Sequence, residues 1–140
     1  SLSDNACAES FLNAIGVSAL TSEANAVSLK NSTFMKGGGP YTTANDQALL
    51  LGMIATGQNF SSANQQRLLE AMKKNVFRKG VPAGVSGTVA DKVGFMNGLL
   101  HDSAIVYGSH GTYVLSIMTD GASWEAIADL AKQLDALRAR

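Results

Sequence analysis

Two short runs in this sequence bring together groups able to do chemistry. Ser3-Asp4-Asn5 places a hydroxyl, a carboxylate and an amide side by side at the start of the chain. Lys92-Val93-Gly94 places an ammonium beside a glycine far downstream. Residues 88–96 read as a β-strand, and its period of two puts Ala90, Lys92 and Gly94 on one face. An ammonium next to a residue without a side chain is a ready clamp for a carboxylate, because the glycine lets a ligand approach the backbone. Each run also has a plainer reading. Lys92 would serve equally as a charge that protects an edge strand, and Asp4 or Asn5 as the cap of a helix.

Other reactive side chains carry less. His101 and Asp102 are neighbours on a strand, so they point to opposite faces and read as polar strand-start residues rather than a catalytic pair. His110 falls in a hairpin turn. Cys7, the lone cysteine, has no internal disulfide partner and reads as a buried, inert thiol on an apolar helix face. Trp124 reads as a core anchor. Two histidines, one cysteine and scattered acids give no metal-ligand spacing, so no metal or other cofactor is expected. Lys36-Gly37-Gly38-Gly39-Pro40 lacks the Gly-Lys-Ser/Thr ending of a phosphate loop and follows no strand, so it reads as a connector.

The elements that must position these groups follow from pattern. Asn5 to Ile15 reads as a helix with Cys7, Phe11, Leu12 and Ile15 on one face and Gly16 as its stop. A shorter helix is expected over 21–29, then a loop over 30–42. Thr43 caps the next helix, with Asp46 completing a variant capping box. Ser62 and Gln65 repeat that logic for a helix running to about Asn75, with Leu68, Leu69 and Met72 as its apolar stripe. After Gly80, a turn-rich stretch leads to strand candidates over 88–96, 102–107 and 112–119. Asn97-Gly98 and Gly108-Ser109-His110-Gly111 are the turns between them. Ser123 caps a closing helix whose stripe is Trp124, Ile127, Ala131 and Leu134, and Arg138 and Arg140 suit its C-terminus.

Helices, then a three-stranded antiparallel meander, then a covering helix make an α+β order. With 140 residues, one domain is the default, mostly helical over 1–80 and sheet plus terminal helix over 81–140. Apolar residues make up 46% and charged residues 16%, which fits a folded core rather than disorder. Eleven basic residues balance eleven acidic ones, so nothing points to nucleic acid. The cluster Lys73, Lys74, Arg78 and Lys79 reads as a solvated helix end. No apolar run approaches the length of a membrane span, and no signal peptide is present.

The two triplets resemble two of the three signatures of the penicillin-recognising serine hydrolases, the serine β-lactamases and DD-peptidases. The resemblance extends through Asp91-Lys92-Val93-Gly94-Phe95, Asn97-Gly98 and His101 to Tyr107, and again through Trp124-Glu125-Ala126-Ile127-Ala128. It covers nearly the whole chain but only the C-terminal half of the family. The third signature, a Ser-x-x-Lys carrying the nucleophile, is absent: no lysine lies three residues after any serine.

The resemblance implies the C-terminal part of the serine β-lactamase/DD-peptidase fold, and roles for seven residues. Ser3 would relay a proton between Lys92 and the lysine of the missing signature. Asn5 would hydrogen-bond the acyl-amide of the substrate, and Asp4 would brace the loop. Lys92 would bind the substrate carboxylate. The Phe95 N–H would form half of an oxyanion hole, and the edge from Lys92 through Val93 and Gly94 to Phe95 would pair with an extended substrate. The family usually has Thr or Ser where Val93 stands, so one hydrogen bond to the carboxylate is lost. The acid that activates the deacylating water in class A β-lactamases has no counterpart over 30–42. The resemblance further implies a β-lactam or cell-wall peptide as ligand and an extracytoplasmic location. It also implies an N-terminal segment or another protomer that completes the fold. The competing expectation is an inactive member serving as a binding or structural module.

Overall fold

The computed structural model describes residues 3–34 and 39–138. Lys36, Gly37 and Gly38 of the glycine-rich connector, and Arg140, lie outside these residues. Among the described residues nine elements follow one another: α1 (Asn5–Ile15), α2 (Val17–Ala26), α3 (Ala44–Thr56), α4 (Ser62–Lys73), the single turn α5 (Val81–Gly84), β1 (Thr88–Met96), β2 (Leu99–Gly108), β3 (Gly111–Asp120) and α6 (Trp124–Arg138). This is the α+β order expected from the sequence.

Most helix starts are set by local hydrogen bonding. The Asp4 carboxylate accepts from Cys7 N at 3.1 Å, Thr43 Oγ1 from Asp46 N at 3.2 Å and Ser123 Oγ from Ala126 N at 3.2 Å. Each satisfies one of the orphan N–H groups of a first helical turn. Two caps differ from the pattern reading. Ser61, not Ser62, caps α4, accepting from Asn64 N. Gln65 does not complete a box there. Its amide donates to the carbonyls of Ile54 and Ala55 at 2.8 and 3.2 Å, so it caps the C-terminal end of α3 instead. The second helix begins at Val17, directly after Gly16, rather than at Thr21.

The sheet has the order β1-β2-β3 and is antiparallel throughout. Its first turn is Asn97-Gly98, with φ of 51° and 86°. Positive φ at both central residues matches the right-handed strand twist, and Asn-Gly tolerates it at little cost. The register pairs Lys92 with Ser103, Val93 with Asp102 and Gly94 with His101.

Alternation then divides the sheet into two faces. One carries Val89, Ala104, Val106 and Ile117 and packs on Val81 of α5 and Ile127 and Ala131 of α6. Gly84 allows that closeness, since a Cβ there would lie 2.0 Å from the Ala128 carbonyl oxygen. The other face carries Ala90 and Ile105 and packs on Leu51 and Ile54 of α3 and Met72 of α4. Burying Ile105 and Ile127 removes each side chain almost wholly from water, worth about 1.5–3 kcal/mol apiece.

The first helix departs from expectation. Its apolar stripe is present, yet no residue of α1 is buried, and Phe11 and Ile15 are 68% and 50% exposed. Cys7 is exposed too, against the expectation of a buried thiol. An amphipathic pattern supplies a face but not the surface that covers it, and α1 packs against α2.

Candidate functional site

Lys92 lies on β1, the edge strand of the sheet, and its side chain is exposed on the face that looks toward α3 and α4. Burial around it draws its ammonium below the usual lysine range, while Asp91 and Asp102 pull it back up. Its Nζ donates to its neighbour's carbonyl, Val93 O, at 2.6 Å. The carbonyls of Val89 and Asp91 accept from side chains as well, from Arg78 at 3.3 Å and from Asn75 at 3.4 Å. All three are odd-numbered, so the odd residues of β1 direct their backbone groups away from β2. Arg78 and Asn75 cover the first half of that edge. Along its second half, Lys92 is the group that meets the Val93 carbonyl, and Phe95 presents its N–H on the same side. Val93 and Phe95 thus offer the ladder pattern onto which an extended ligand adds as a strand.

The Val93 side chain points to the face opposite Lys92 and is 3% exposed. Only its backbone is left at the edge of the strand. Phe95 is 54% exposed and makes edge-to-face contacts with Phe77 and Trp124, with centroids 5.3 and 6.2 Å away. Trp124 thus joins the core, as expected, and also braces the strand that carries the site.

Beside Gly94 opens a mostly apolar cavity of about 560 Å³. The sheet side of it is Gly94, Phe95, Met96, His101 and Met118, and the far wall comes from Phe34, Tyr41 and their neighbours in the loop before α3. A Cβ on Gly94 would meet nothing closer than 3.9 Å, so space above the glycine is open. His101 Nδ1 accepts from Thr119 N at 3.2 Å. His101 is thus a wall of the cavity, a position that the strand pattern alone did not reveal.

Asp46 ties down the loop wall. It is 1% exposed and accepts from Asn31 N and Ser32 Oγ, both at 2.8 Å. Ser32 Oγ is also 2.9 Å from Thr42 Oγ1, and Thr33 pairs with Tyr41 in an isolated bridge. Burial pushes the Asp46 carboxyl up, but the bonds from Ser32 and Asn31 outweigh it and leave the group below the usual range. The sequence pattern assigned Asp46 to a capping box. The structure gives it both ends of a loop.

Behind Lys92, on the other face, lie two buried acids. Asp91 accepts from Arg78 and from the Asn75 amide, each at 2.5 Å. Arg78 is therefore an ion-pair partner rather than part of a purely solvated cationic cluster. Burial still holds the Asp91 carboxyl above its ordinary value, with Arg78 and Asn75 opposing. Asp102 is fully buried. Its Oδ2 accepts from Val81 N at 2.8 Å, and its Oδ1 has no partner. Burial and the nearby Asp91 charge push it up to about 7. The strand-start reading of Asp102 missed this, because burial of an acid depends on α5 packing over it. Gly80 makes that possible: a Cβ there would lie 2.4 Å from Asp102 Oδ2.

At the other end of the chain, Ser3 is half-buried with φ of 54°, a strained value for a residue with a side chain. Asp4 caps α1, and Asn5 is its first residue. Among the described residues, no hydrogen bond or ion pair links this triplet to Lys92. Gly94, Phe95 and His101 line the cavity, Lys92 stands two positions before Gly94 on the same strand without lining it, and Asn5 opens α1. No cluster of acids, histidines and cysteine suited to a metal occurs among the described residues, and no helix there is long and apolar enough to cross a membrane.

Residues 1–137 match the model of the β-lactamase enzyme family. The chain belongs to that family. Among solved structures, a β-lactamase from Sphaerobacter thermophilus superposes with a TM-score of 0.86 over 98% of this chain and 58% of its own, at 19% identity. PenP of Rhodopseudomonas palustris, assigned to the class A β-lactamases, gives 0.85 over 98% and 61%, at 23% identity. PBP-A gives 0.78 over 87% and 51%, at 22% identity. The chain thus spans between half and three fifths of the length of these structures. No curated protein sequence matches it.

Proposed function

We propose that this chain forms one wall of a serine acyl-transfer site, of the kind that acts on β-lactams or cell-wall peptide amides. The nucleophile would come from a Ser-x-x-Lys segment outside these 140 residues. The observation that carries this reading is the open second half of the β1 edge, where Lys92, the Val93 carbonyl and the Phe95 N–H stand together beside an apolar cavity. Lys92 binds the ligand's carboxylate. Phe95 N–H supplies half of an oxyanion hole, in which a fixed donor meets charge that develops in the transition state. Ser3 passes a proton toward the leaving nitrogen, and Asn5 holds the acyl-amide. These last two roles need the missing segment, or another protomer, to bring α1 and β1 to one ligand. The location would be extracytoplasmic, where cell-wall peptides are found.

A second reading is an inactive binding module, favoured by the lack of a Ser-x-x-Lys in these 140 residues. In the enzyme reading, the absence of an acid over 30–42 points to slow release of the acyl adduct. Intact-mass spectrometry separates them. The longer protein containing a Ser-x-x-Lys segment is incubated with labelled benzylpenicillin. A stable adduct on a serine outside residues 1–140 is the result expected of the enzyme. No adduct at millimolar drug selects the binding module.

A further inference from the structure

Three successive outward carbonyls of β1 are each met by a side-chain donor. Arg78 donates to Val89 O, Asn75 to Asp91 O and Lys92 to Val93 O. Groups of this kind keep an edge strand from pairing with stray chains. The three donors differ in how firmly they are held. Asn75 is buried, its amide also donates to the Asp91 carboxylate, and its own Oδ1 accepts from Phe77 N at 3.1 Å. The Arg78 guanidinium is ion-paired to the same carboxylate. Lys92 is exposed, on a flexible four-carbon stem, and its bond runs to the carbonyl of the next residue at 2.6 Å. Breaking that bond disturbs no contact between elements.

Resting on the reading of β1 as the strand to which a ligand adds, we infer that Lys92 is a removable cap on that edge, and that a negative charge on the ligand is what removes it. At rest, the ammonium repels the partly positive N–H that an added strand would offer to Val93 O. A neutral extended chain is therefore refused. A carboxylate is a stronger acceptor for an ammonium than a backbone carbonyl is, because both partners are then ionised. An anionic ligand draws Lys92 off the edge and frees the acceptor that its own backbone needs. Clamp and cap are one side chain in two positions, and the charge of the ligand selects between them. Arg78 and Asn75, fixed through Asp91, keep the first half of the edge closed in either state.

The test uses one extended peptide, N-acetylated Thr-Val-Thr-Val, with either a free C-terminal carboxylate or an amide in its place. Binding of each to the 140-residue chain and to Lys92→Met is followed by amide NMR titration. The unaltered chain should prefer the acid about tenfold or more. Lys92→Met should abolish that preference, and it should bind the amide about three- to tenfold more tightly than the unaltered chain does. A lysine that is a clamp alone would lower acid binding and leave amide binding as it was. In the unaltered chain labelled with ¹⁵N and ¹³C, scalar coupling across the bond from Lys92 Nζ to the Val93 carbonyl carbon reports the cap directly. It should be present in the free chain, lost with the acid and kept with the amide. Amide binding that is unchanged or weaker in Lys92→Met, or coupling that survives in the acid complex, would overturn the inference and leave the strand site standing. Equal binding of acid and amide by the unaltered chain would also overturn it. If Lys92→Met does not fold, the coupling in the unaltered chain decides. If neither peptide moves the Val93 and Phe95 amides in either protein, both the inference and the reading it rests on fail.

Discussion

Replacing Asp102 by asparagine should make the protein more stable above pH 7 and change it little at pH 4. Asp102 is fully buried, with one oxygen on Val81 N and the other without a partner. In the folded chain its carboxyl holds a proton up to about pH 7, against 3.8 for the ordinary group. The folded state therefore binds an extra proton between those values. The stability this proton confers is complete below pH 3.8 and is lost as pH rises through about 7. At 1.36 kcal/mol for each tenfold change in proton affinity, the whole loss is about 4 kcal/mol. Asparagine does not titrate. Its carbonyl oxygen can accept from Val81 N, and its NH₂ takes the place of the unpartnered oxygen, much as the protonated acid does. Asp102→Asn should therefore exceed the natural protein by about 2–4 kcal/mol at pH 8 and lie within about 1 kcal/mol of it at pH 4. Asp91 also titrates with a raised value, but it does so in both proteins and largely cancels in the comparison. Urea unfolding at pH 4, 6 and 8, followed by circular dichroism, measures the difference. Parallel pH profiles for the two proteins, or a less stable Asp102→Asn at pH 8, would refute the reasoning.

Two further substitutions probe the framework around the site. Arg78→Met removes the cation from Asp91 while keeping much of the side chain's bulk, and should cost about 2–4 kcal/mol at pH 7 because a buried carboxylate is left without its charge partner. The loss should shrink toward pH 4 as the acid takes up a proton, which urea unfolding at both pH values would register. Gln65→Ala leaves the carbonyls of Ile54 and Ala55 without their side-chain donor and should cost about 1 kcal/mol, seen as a lower urea midpoint with an unchanged slope.

Local pattern made the sheet legible and left much of the site hidden. Pattern alone gives β1 its observed bounds, because residues 88–96 alternate strongly and Asn97-Gly98 ends them with a turn that few other pairs form so readily. α3 was announced by Thr43 and its stop by Gly57. What sequence hid was contact between elements far apart in the chain. Gln65 looks like a capping-box partner, and nothing local says that α3 ends within its reach. Asp46 looks like a first-turn acid, and its grip on Asn31 and Ser32 depends on how the loop returns. His101 reads as no partner for Asp102, because neighbours on a strand face opposite ways. That alternation was correct, and it is what puts His101 on the face of Lys92. The missing signal was cross-strand register: counting back from the Asn97-Gly98 turn places His101 opposite Gly94. The stripe on α1 was also read correctly as a pattern, but burial of Cys7 did not follow, because a pattern does not supply the covering surface.

The open edge of β1 is the central claim, and amide NMR of the ¹⁵N-labelled 140-residue chain during a benzylpenicillin titration tests it most directly. The Val93 and Phe95 amides should move most, together with Gly94 and the His101 ring. The polar cavity at the far end of the sheet, around His110 and Lys132, should stay still. Shifts centred on His110 and Lys132, or none anywhere at millimolar ligand, would contradict the account.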